Sequence, residues 1–416
     1  MVPNGWTLTS LGKLCDINPK KIKKPENGKV SFIAMNQLSE EGQLISHLPR
    51  EYEEVSKGFT SFKDGDVLVA KITPCFENGK GALVHGLTNG VGFGSTEFHV
   101  LRAKENTSPE FIYYLTRAKE LRVRGENNMQ GSAGHRRVTA DYFNAYKVLT
   151  PPLPEQRKIA KIISTWDKAI STTERIIDNS KQQKKALMQQ LLTGKKRLLD
   201  DSGKPFEGEW EDLYLHDIAK IIVSPVDKKI VEGEIPVELC NYTDVYYNTR
   251  ITNSIEFMKA TAKQSEIDKY TLQVNDVIIT KDSETPGDIA IPALVSEDLG
   301  GTVCGYHLAI IRPNSQLVEG AYLNYLFSMQ KTRYYFFTLA TGATRFGLSI
   351  GGINKAHFTL PPLEEQQRIA AVLTNSDREV ELLEQQLADL KQEKKALMQQ
   401  LLTGKRRVKL DDKEVA

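Results

Sequence analysis

Residues 184–197 have the sequence KKALMQQLLTGKKR, and residues 394–407 have the sequence KKALMQQLLTGKRR. The two segments lie 210 positions apart and differ only where Lys196 is replaced by Arg406. Each combines strong helix formers with a glycine that is followed by basic residues, a pattern typical of the end of a helix. The chain therefore contains the same helical segment twice.

Other segments repeat with the same spacing. PPLPEQRKIA at 151–160 aligns with PPLEEQQRIA at 361–370, and GDVLVAK at 65–71 aligns with NDVIITK at 275–281. A period this long is not that of a solenoid and indicates a duplicated unit of one domain and one helix. We predict variable domains at 1–150 and 205–360. The first is followed by a helical region and linker at 151–204, and the second by a helical region at 361–416.

The composition is that of a soluble globular protein, with 40% hydrophobic and 26% charged residues. No apolar run approaches 18 residues, and the first ten residues lack the apolar core of a signal peptide. The four cysteines, Cys15, Cys75, Cys240 and Cys304, form no CxxC pair. We therefore expect a cytoplasmic protein with reduced thiols, no zinc site and no membrane contact.

Charge is distributed unevenly along the chain. Residues 1–150 carry 20 basic and 16 acidic residues, a net charge of +4, and residues 151–204 carry +6. Residues 205–360 carry 13 basic and 20 acidic residues, a net charge of −7, and residues 361–416 carry −1. A simple non-specific DNA-binding protein would be basic throughout. Any contact with nucleic acid must therefore be local or shared with a partner.

The variable domains are predicted to be of the α+β class. DVLVAK and DVIITK, and likewise FHVLR at 98–102 and LAIIR at 308–312, are short runs rich in Val, Ile or Leu that predict strands. Residues 108–124 predict a helix, with Ser108 as the N-cap and Pro109 in the first turn. Residues 319–337 predict its counterpart.

Each unit ends in a predicted helix of roughly 40 residues, about 60 Å long. Apolar residues recur in steps of four and three, with some polar interruptions, which favours helix pairing over two independent surface helices. The first helix contributes Ile159, Ile163, Trp166, Ile170, Ile177, Leu187 and Leu191. The second contributes Ile369, Leu373, Val380, Leu383, Leu387, Leu390, Leu397 and Leu401. We predict an antiparallel coiled coil with approximate internal two-fold symmetry and a domain at each end.

Catalytic signatures are missing from the sequence. LLTGKKR contains GK but not the glycine and hydroxyl residue of a phosphate-binding loop. GVGFGS at 90–95 has its third glycine too early for a dinucleotide site. There is no H-E-x-x-H, no G-x-S-x-G and no Asn/Asp-Pro-Pro-aromatic segment. We predict a binding or scaffolding protein without cofactor, metal or catalytic residues.

Polar loops after the predicted strands are candidates for contacting DNA, because Arg, Lys, Asn and Ser bind base edges and phosphates. The alternative is that they are ordinary solvated turns. In the first domain the candidates are Lys71, Thr73, Asn78, Lys80, Ser132, His135, Arg136 and Arg137. In the second domain they are Lys281, Ser283, Thr344 and Arg345.

Several of these segments resemble the specificity subunit of type I restriction–modification enzymes. PLPEQRKIAKII and PLEEQQRIAAVL each open a helix that ends in QQLLTGK, and the first half also contains TPCFENGKGA, GFGSTEFHVLR and GHRRVTADYF. The second domain lacks the ENGK and STEF segments. Its similarity rests on its position, on the aligned strands and on the helix that follows.

The resemblance implies two target-recognition domains, each binding one half of a split site on double-stranded DNA. It implies that the helices set the gap between the half-sites and dock two methyltransferase subunits, while a separate restriction and translocation subunit joins the complex. It also implies that the chain has no catalytic activity of its own. An orphan or silent DNA-binding scaffold used for specificity exchange is the alternative.

Overall fold

The structure is a computed structural model that describes residues 2–132 and 134–410. It contains two compact units. The first comprises residues up to 174 together with those from 385 onward, and the second comprises residues 175–384. Each unit therefore contains one variable domain and a part of each long helix. Among the described residues, no helix is both long and apolar enough to cross a lipid bilayer.

The described residues of the first unit form ten strands, which make three sheets. The strands are β1 (Thr7–Ser10), β2 (Cys15–Ile17), β3 (Lys29–Ile33), β4 (Leu48–Glu51), β5 (Thr60–Lys63), β6 (Asp66–Ala70), β7 (Gly81–Leu83), β8 (Val91–Gly94), β9 (Phe98–Ala103) and β10 (Lys147–Thr150). One sheet has the order β2-β9-β6-β7, the second has the order β4-β3-β8-β5, and β1 pairs with β10.

The helices of the first unit surround these sheets. They are α1 (Leu11–Leu14), α2 (Tyr52–Val55), α3 (Pro109–Arg117), α4 (Lys119–Asn127), α5 (Ala140–Ala145) and the first part of α6 (Leu153–Leu191). Alternate residues of β6 belong to two apolar clusters: Val67 and Val69 pack with Phe111 of α3, whereas Leu68 packs with Phe62 of β5. Because both faces of β6 are covered, its residues 67–70 form a continuous apolar run rather than an alternating one.

The second unit contains twelve strands. They are β11 (Glu211–Tyr214), β12 (Ala219–Val223), β13 (Ile235–Cys240), β14 (Arg250–Ile251), β15 (Met258–Ala262), β16 (Val277–Thr280), β17 (Asp282–Ser283), β18 (Pro292–Val295), β19 (Val303–Cys304), β20 (Leu308–Pro313), β21 (Phe346–Gly347) and β22 (His357–Leu360). They form sheets of order β12-β20-β16-β18-β14 and β15-β13-β19, together with the pairs β11-β22 and β17-β21.

The helices of the second unit follow the same plan. They are α7 (Leu215–Ile218), α8 (Tyr242–Tyr247), α9 (Gln264–Tyr270), α10 (Gly320–Ser328), α11 (Gln330–Leu339), α12 (Ile350–Asn354) and the first part of α13 (Leu363–Leu402). The predicted strands are confirmed as β6, β9, β16 and β20, and the α+β class is confirmed with them.

The predicted helix at 108–124 is wrong in one respect, because it is two helices. Ala118 has an extended backbone between α3 and α4. The break exposes the carbonyl of Thr116, which accepts a hydrogen bond of 2.6 Å from Arg122 Nε. Met329 separates α10 from α11 in the same way. The break turns the second helix so that Leu121 is buried in the core, a tertiary gain that local helix propensity does not encode.

In the first unit, the beginning of α6 pairs with the end of α13. Ile159 and Ile163 share an apolar cluster with Leu401 and Leu402. Ion pairs join Asp167 to Lys394, and Glu174 to Lys391 at 2.7 Å. Because residue numbers rise along one helix as they fall along the other, the two segments are antiparallel.

In the second unit, the end of α6 pairs with the beginning of α13. Leu191 and Leu192 share a cluster with Ile369 and Leu373, and Lys184 contacts Asp377 while Lys181 lies 2.6 Å from Glu384. These segments are antiparallel too, which confirms the predicted antiparallel pairing. In both helices, every predicted seam residue is buried or half-buried.

In each helix pair, an arginine from the repeated segment after one helix binds a glutamate in the first turn of the other helix. Arg407 donates two hydrogen bonds to Glu155, from Nε at 2.7 Å and Nη2 at 2.8 Å, and Trp6 Nε1 donates a third at 3.0 Å. Arg197 donates two to Glu365, both at 2.7 Å. Glu155 is 2% exposed and Glu365 is fully buried. The glutamates and the arginines are both related by the repeat of 210.

The variable domains are seated on the helices through matched contacts. Tyr114 Oη donates to Asp167 at 2.7 Å, and Tyr325 Oη donates to Asp377 at 2.5 Å. Gln156 accepts a bond from the backbone N–H of Ser108 at 3.0 Å, and Gln366 accepts the corresponding bond from Glu319 at 3.1 Å. The repeated helices thus provide the same attachment points for two domains of different sequence.

Candidate nucleic-acid interface

Two of the predicted loops of the first unit lie side by side. The backbone N–H of Val138 donates to Lys71 O at 2.9 Å, and that of Thr73 donates to Arg136 O at 3.0 Å. An antiparallel bridge pairs Ile72 with Arg137. Four predicted residues are therefore brought together at the end of β6: Lys71, Thr73, Arg136 and Arg137.

The two arginines differ in how firmly they are held. Arg137 donates from Nε and Nη2 to the carboxylate of Glu97, both at 2.9 Å, and this hydrogen bonding lowers the pKa of Glu97. Arg136 Nη2 lies 3.8 Å from Glu77, which also accepts a bond of 2.7 Å from Thr73 Oγ1. Because 3.8 Å is beyond hydrogen-bond distance, Arg136 is the arginine available for a ligand.

The remaining predicted residues of this unit lie further along the loops. Asn78 is exposed and donates to Glu40 at 2.9 Å, while the backbone of Lys80 bonds to Cys75 O at 3.0 Å. Ser132 and His135 are exposed and joined by a backbone hydrogen bond of 3.0 Å. The loops therefore also present the polar side chains of Asn78, Ser132 and His135 to solvent.

Two residues that the sequence analysis missed support these loops from beneath. Arg122 Nη1 donates to Phe76 O at 2.9 Å, and its guanidinium lies 4.8 Å from the Phe76 ring centroid. Burial lowers the pKa of Arg122. His99 is 4% exposed, and its Nε2 lies 2.9 Å from Val138 O while its Nδ1 lies 3.0 Å from Asn18 Nδ2. With Nε2 as donor and Nδ1 as acceptor, both ring nitrogens are satisfied in the neutral form.

We expect acid to destabilise the first unit through His99. Burial is the largest cause that lowers its pKa below the ordinary 6.5; Lys71 also lowers it, whereas the Val138 hydrogen bond and Glu97 raise it. The unfolded state therefore gains the proton first as pH falls, so the free energy of unfolding decreases below about pH 6.5. Urea denaturation from pH 8 to pH 5 should show a shallower decline for His99→Gln. An identical decline in both proteins would contradict this assignment.

In the second unit the candidate loops also meet, through the pairing of β17 with β21. Arg345 Nε lies 3.4 Å from Asp282 Oδ1 and Lys281 Nζ lies 3.2 Å from Asp282 Oδ2, while His307 contacts the same carboxylate. Burial is the main cause that lowers the pKa of His307. Thr344 is exposed beside Arg345. Both candidate cations of this site, Lys281 and Arg345, are therefore paired with the same carboxylate.

Ser283 is held by a tyrosine rather than exposed. Its side chain is 6% exposed, and its Oγ accepts a hydrogen bond of 3.1 Å from Tyr242 Oη of α8. Arg333 supports the same loop by donating to Gly287 O at 2.7 Å. Two features of the sequence could have identified these supporting residues. One is the aromatic segment YTDVYY of α8, and the other is that Arg122 and Arg333 occupy the same position in α4 and α11. Within the described residues, no cluster of His, Cys, Asp or Glu could hold a metal ion.

Comparison with known proteins gives a consistent result. The family model of the type I restriction modification DNA specificity domain matches residues 3–181 and 207–392. The specificity subunit of the Escherichia coli type I restriction enzyme EcoAI is 37% identical over 160 residues, which cover 38% of this chain and 27% of that protein. That of EcoEI, also from E. coli, is 35% identical over 43% of this chain and 30% of its own length.

A more extended match is the putative MjaX specificity subunit of Methanocaldococcus jannaschii, 27% identical over 83% of this chain and 79% of that protein. Among solved structures, the HsdS subunit from Thermoanaerobacter tengcongensis has a TM-score of 0.53 at 21% identity, covering 97% of this chain and 98% of that one. A chain from a structure of type I R-M complex assembly has a TM-score of 0.59 at 21% identity, covering 98% and 100%. These structures share the fold.

Proposed function

Because the chain belongs to the family of type I restriction–modification DNA specificity domains, we propose that it selects a bipartite target on double-stranded DNA for methyltransferase and restriction subunits. It is a specificity subunit and not a catalytic one. The observation that carries the proposal is the repeated pair of polar loops, one pair in each unit, at the ends of the equivalent strands β6 and β16. Each pair would contact one half-site, in the cytoplasm where the chromosome is accessible.

Docking of two identical methyltransferase subunits is supported by the surfaces of the long helices. Exposed positions 185, 189 and 190 are Lys, Gln and Gln, and so are exposed positions 395, 399 and 400. Buried repeats are explained by packing, but solvated side chains have no such constraint. Their identity is what two copies of one partner would require.

The test is single-molecule methylation sequencing of DNA from cells that carry this chain with the methyltransferase encoded beside it. We expect one methylated motif made of two defined halves and a fixed gap, and its loss when this chain is deleted. A motif without a gap, or one that survives the deletion, would overturn the proposal. If no methyltransferase gene lies beside the gene for this chain, the orphan scaffold is favoured instead.

We predict that Arg136→Ala weakens specific binding by about 1–3 kcal/mol and relaxes the preference at one base pair of the first half-site. The reason is that the Arg136 guanidinium, which lies too far from Glu77 for a hydrogen bond, can bond guanine bidentately. Arg137→Ala should mainly reduce affinity, because Arg137 neutralises Glu97 beside the DNA. Arg124→Ala on α4, where Arg124 pairs with Glu120 at 2.5 Å, is the matched control. Unchanged affinity and base preference in the Arg136→Ala/Arg137→Ala double variant would show both assignments to be wrong.

A further inference from the structure

Three tyrosines of the second unit lie on the short helix α8. Tyr242 and Tyr246 are stacked, with ring centroids 5.6 Å apart and an interplanar angle of 20°. Tyr242 Oη donates to Ser283, and Tyr246 Oη donates to Asp288 at 3.2 Å. Both hydroxyls are therefore used to fix α8 against the 281–290 loop.

The third tyrosine is presented to solvent. Tyr247 is 77% exposed, and its ring meets that of Tyr246 edge-on at 5.0 Å and 86°. Because this ring is not packed in the core, it contributes little to the stability of the folded chain. Tyr246, which is itself bonded to Asp288 of the 281–290 loop, packs against this exposed ring.

The negative charge of the second unit makes a neutral hydrogen-bond donor useful for binding DNA. Its variable domain carries −7 overall, and Asp282 and Asp288 lie in the candidate loop itself. Lys281 and Arg345 are both drawn to Asp282. A phosphate oxygen beside this loop needs a donor that the loop carboxylates do not neutralise, and a tyrosine hydroxyl is such a donor.

In the described residues of the first unit, no tyrosine cluster stands at the equivalent position. A single 3₁₀ turn, Met35–Gln37, follows β3 at the position where α8 follows β13. The loop there is held by Glu40, which accepts from Asn78. The first unit has a net charge of +4 over residues 1–150, so a neutral donor is less needed there.

We propose that Tyr247 is a DNA contact of the second recognition domain, whose hydroxyl donates a hydrogen bond to a backbone phosphate next to the 281–290 loop. The inference rests on the proposed function. It assigns the second half-site a neutral phosphate contact. Such a contact displaces no counterion, so it adds affinity without adding to the salt dependence of binding.

The experiment measures binding of the full chain, purified with its methyltransferase subunits, to a short duplex that the wild-type complex has selected from a random pool. Tyr247→Phe removes only the hydroxyl. We expect affinity to fall about tenfold, as for a hydrogen bond to a charged group, with the salt slope and the base preference unchanged. Because Asp282 already neutralises Lys281, Lys281→Ala should also leave the salt slope nearly unchanged.

Tyr214→Phe is the control, because Tyr214 is also exposed but lies on β11 against His216 and His357. If Tyr247→Phe binds as tightly as the wild type while the wild type selects a bipartite motif, this inference alone is wrong. A change in base preference would overturn the phosphate assignment. If the wild type selects no motif, the proposed function fails and the inference fails with it.

Discussion

Arg197→Ala is expected to lower the free energy of unfolding of the second unit by about 2–3 kcal/mol. The variant leaves the fully buried carboxylate of Glu365 without its bidentate partner, and an uncompensated buried charge is among the most costly defects a fold can contain. Hydrogen exchange of the amides in 363–373, measured by mass spectrometry, should report the loss directly.

The equivalent change in the first unit, Arg407→Ala, provides an internal comparison. Glu155 keeps the hydrogen bond from Trp6 Nε1 at 3.0 Å. In the described part of the second unit, Trp210 Nε1 is buried with no hydrogen-bond partner, so no indole donor supports Glu365. Arg407→Ala should therefore cost about 1 kcal/mol less than Arg197→Ala. Adding Glu365→Ala to Arg197→Ala should recover part of the loss. Equal costs for the two single arginine variants would refute this difference.

Replacing residues 215–356 by residues 11–146 should give a chain that recognises the first half-site twice. The junctions match, because Leu11 N bonds to Tyr146 O and Leu215 N bonds to Ala356 O, both at 2.8 Å. The transferred Tyr114 and Ser108 would meet Asp377 and Gln366, which already hold Tyr325 and Glu319. The transferred domain would thus make with α13 the same contacts that it makes with α6 in its own unit.

The measurement is the methylated motif in cells that express the grafted chain. Each mismatched base pair costs about 1–3 kcal/mol of specific binding, so methylation of the original motif should be abolished. The reverse graft, residues 215–356 in place of 11–146, is the matched control and should duplicate the second half-site. A folded graft that still methylates the original motif would show that recognition does not lie within these segments.

The sequence predicted the long helices and the buried strands because their stability is local and periodic. Ile159, Ile163, Ile369 and Leu373 recur at helical spacing, and β6 and β16 contain the continuous apolar runs 67–70 and 277–279. The contact between Glu155 and Arg407 could also have been predicted, since Glu155 recurs as Glu365 and Arg197 recurs as Arg407, each 210 positions later. A buried acid that repeats together with an arginine is a signal of pairing.

The features of the fold and of the candidate site that the sequence did not predict depend on contacts between distant segments. The break at Ala118 is accompanied by the contacts of Arg122 with Thr116 and Phe76, and no propensity encodes it. The sequence identified the loops at 71–80 and 130–138 as polar, but only the backbone bonds of Thr73 and Val138 bring them together. The repeat of 210 places Gln37 opposite Tyr247, so a search guided by the repeat does not find this tyrosine.

The hydrogen bonds that Trp6 and Arg407 donate to Glu155 affect the order in which the two units can fold during synthesis. The second unit is one continuous stretch, 175–384, and can fold as it leaves the ribosome. The first unit must wait for Arg407, which donates to Asn4 O at 2.6 Å. At about 5–20 residues per second, translation from residue 175 to residue 407 takes roughly 10–50 s. During that time the amino-terminal domain lacks the end of α13, which completes its core. If translation stops between residues 384 and 407, only the second unit has its full sequence.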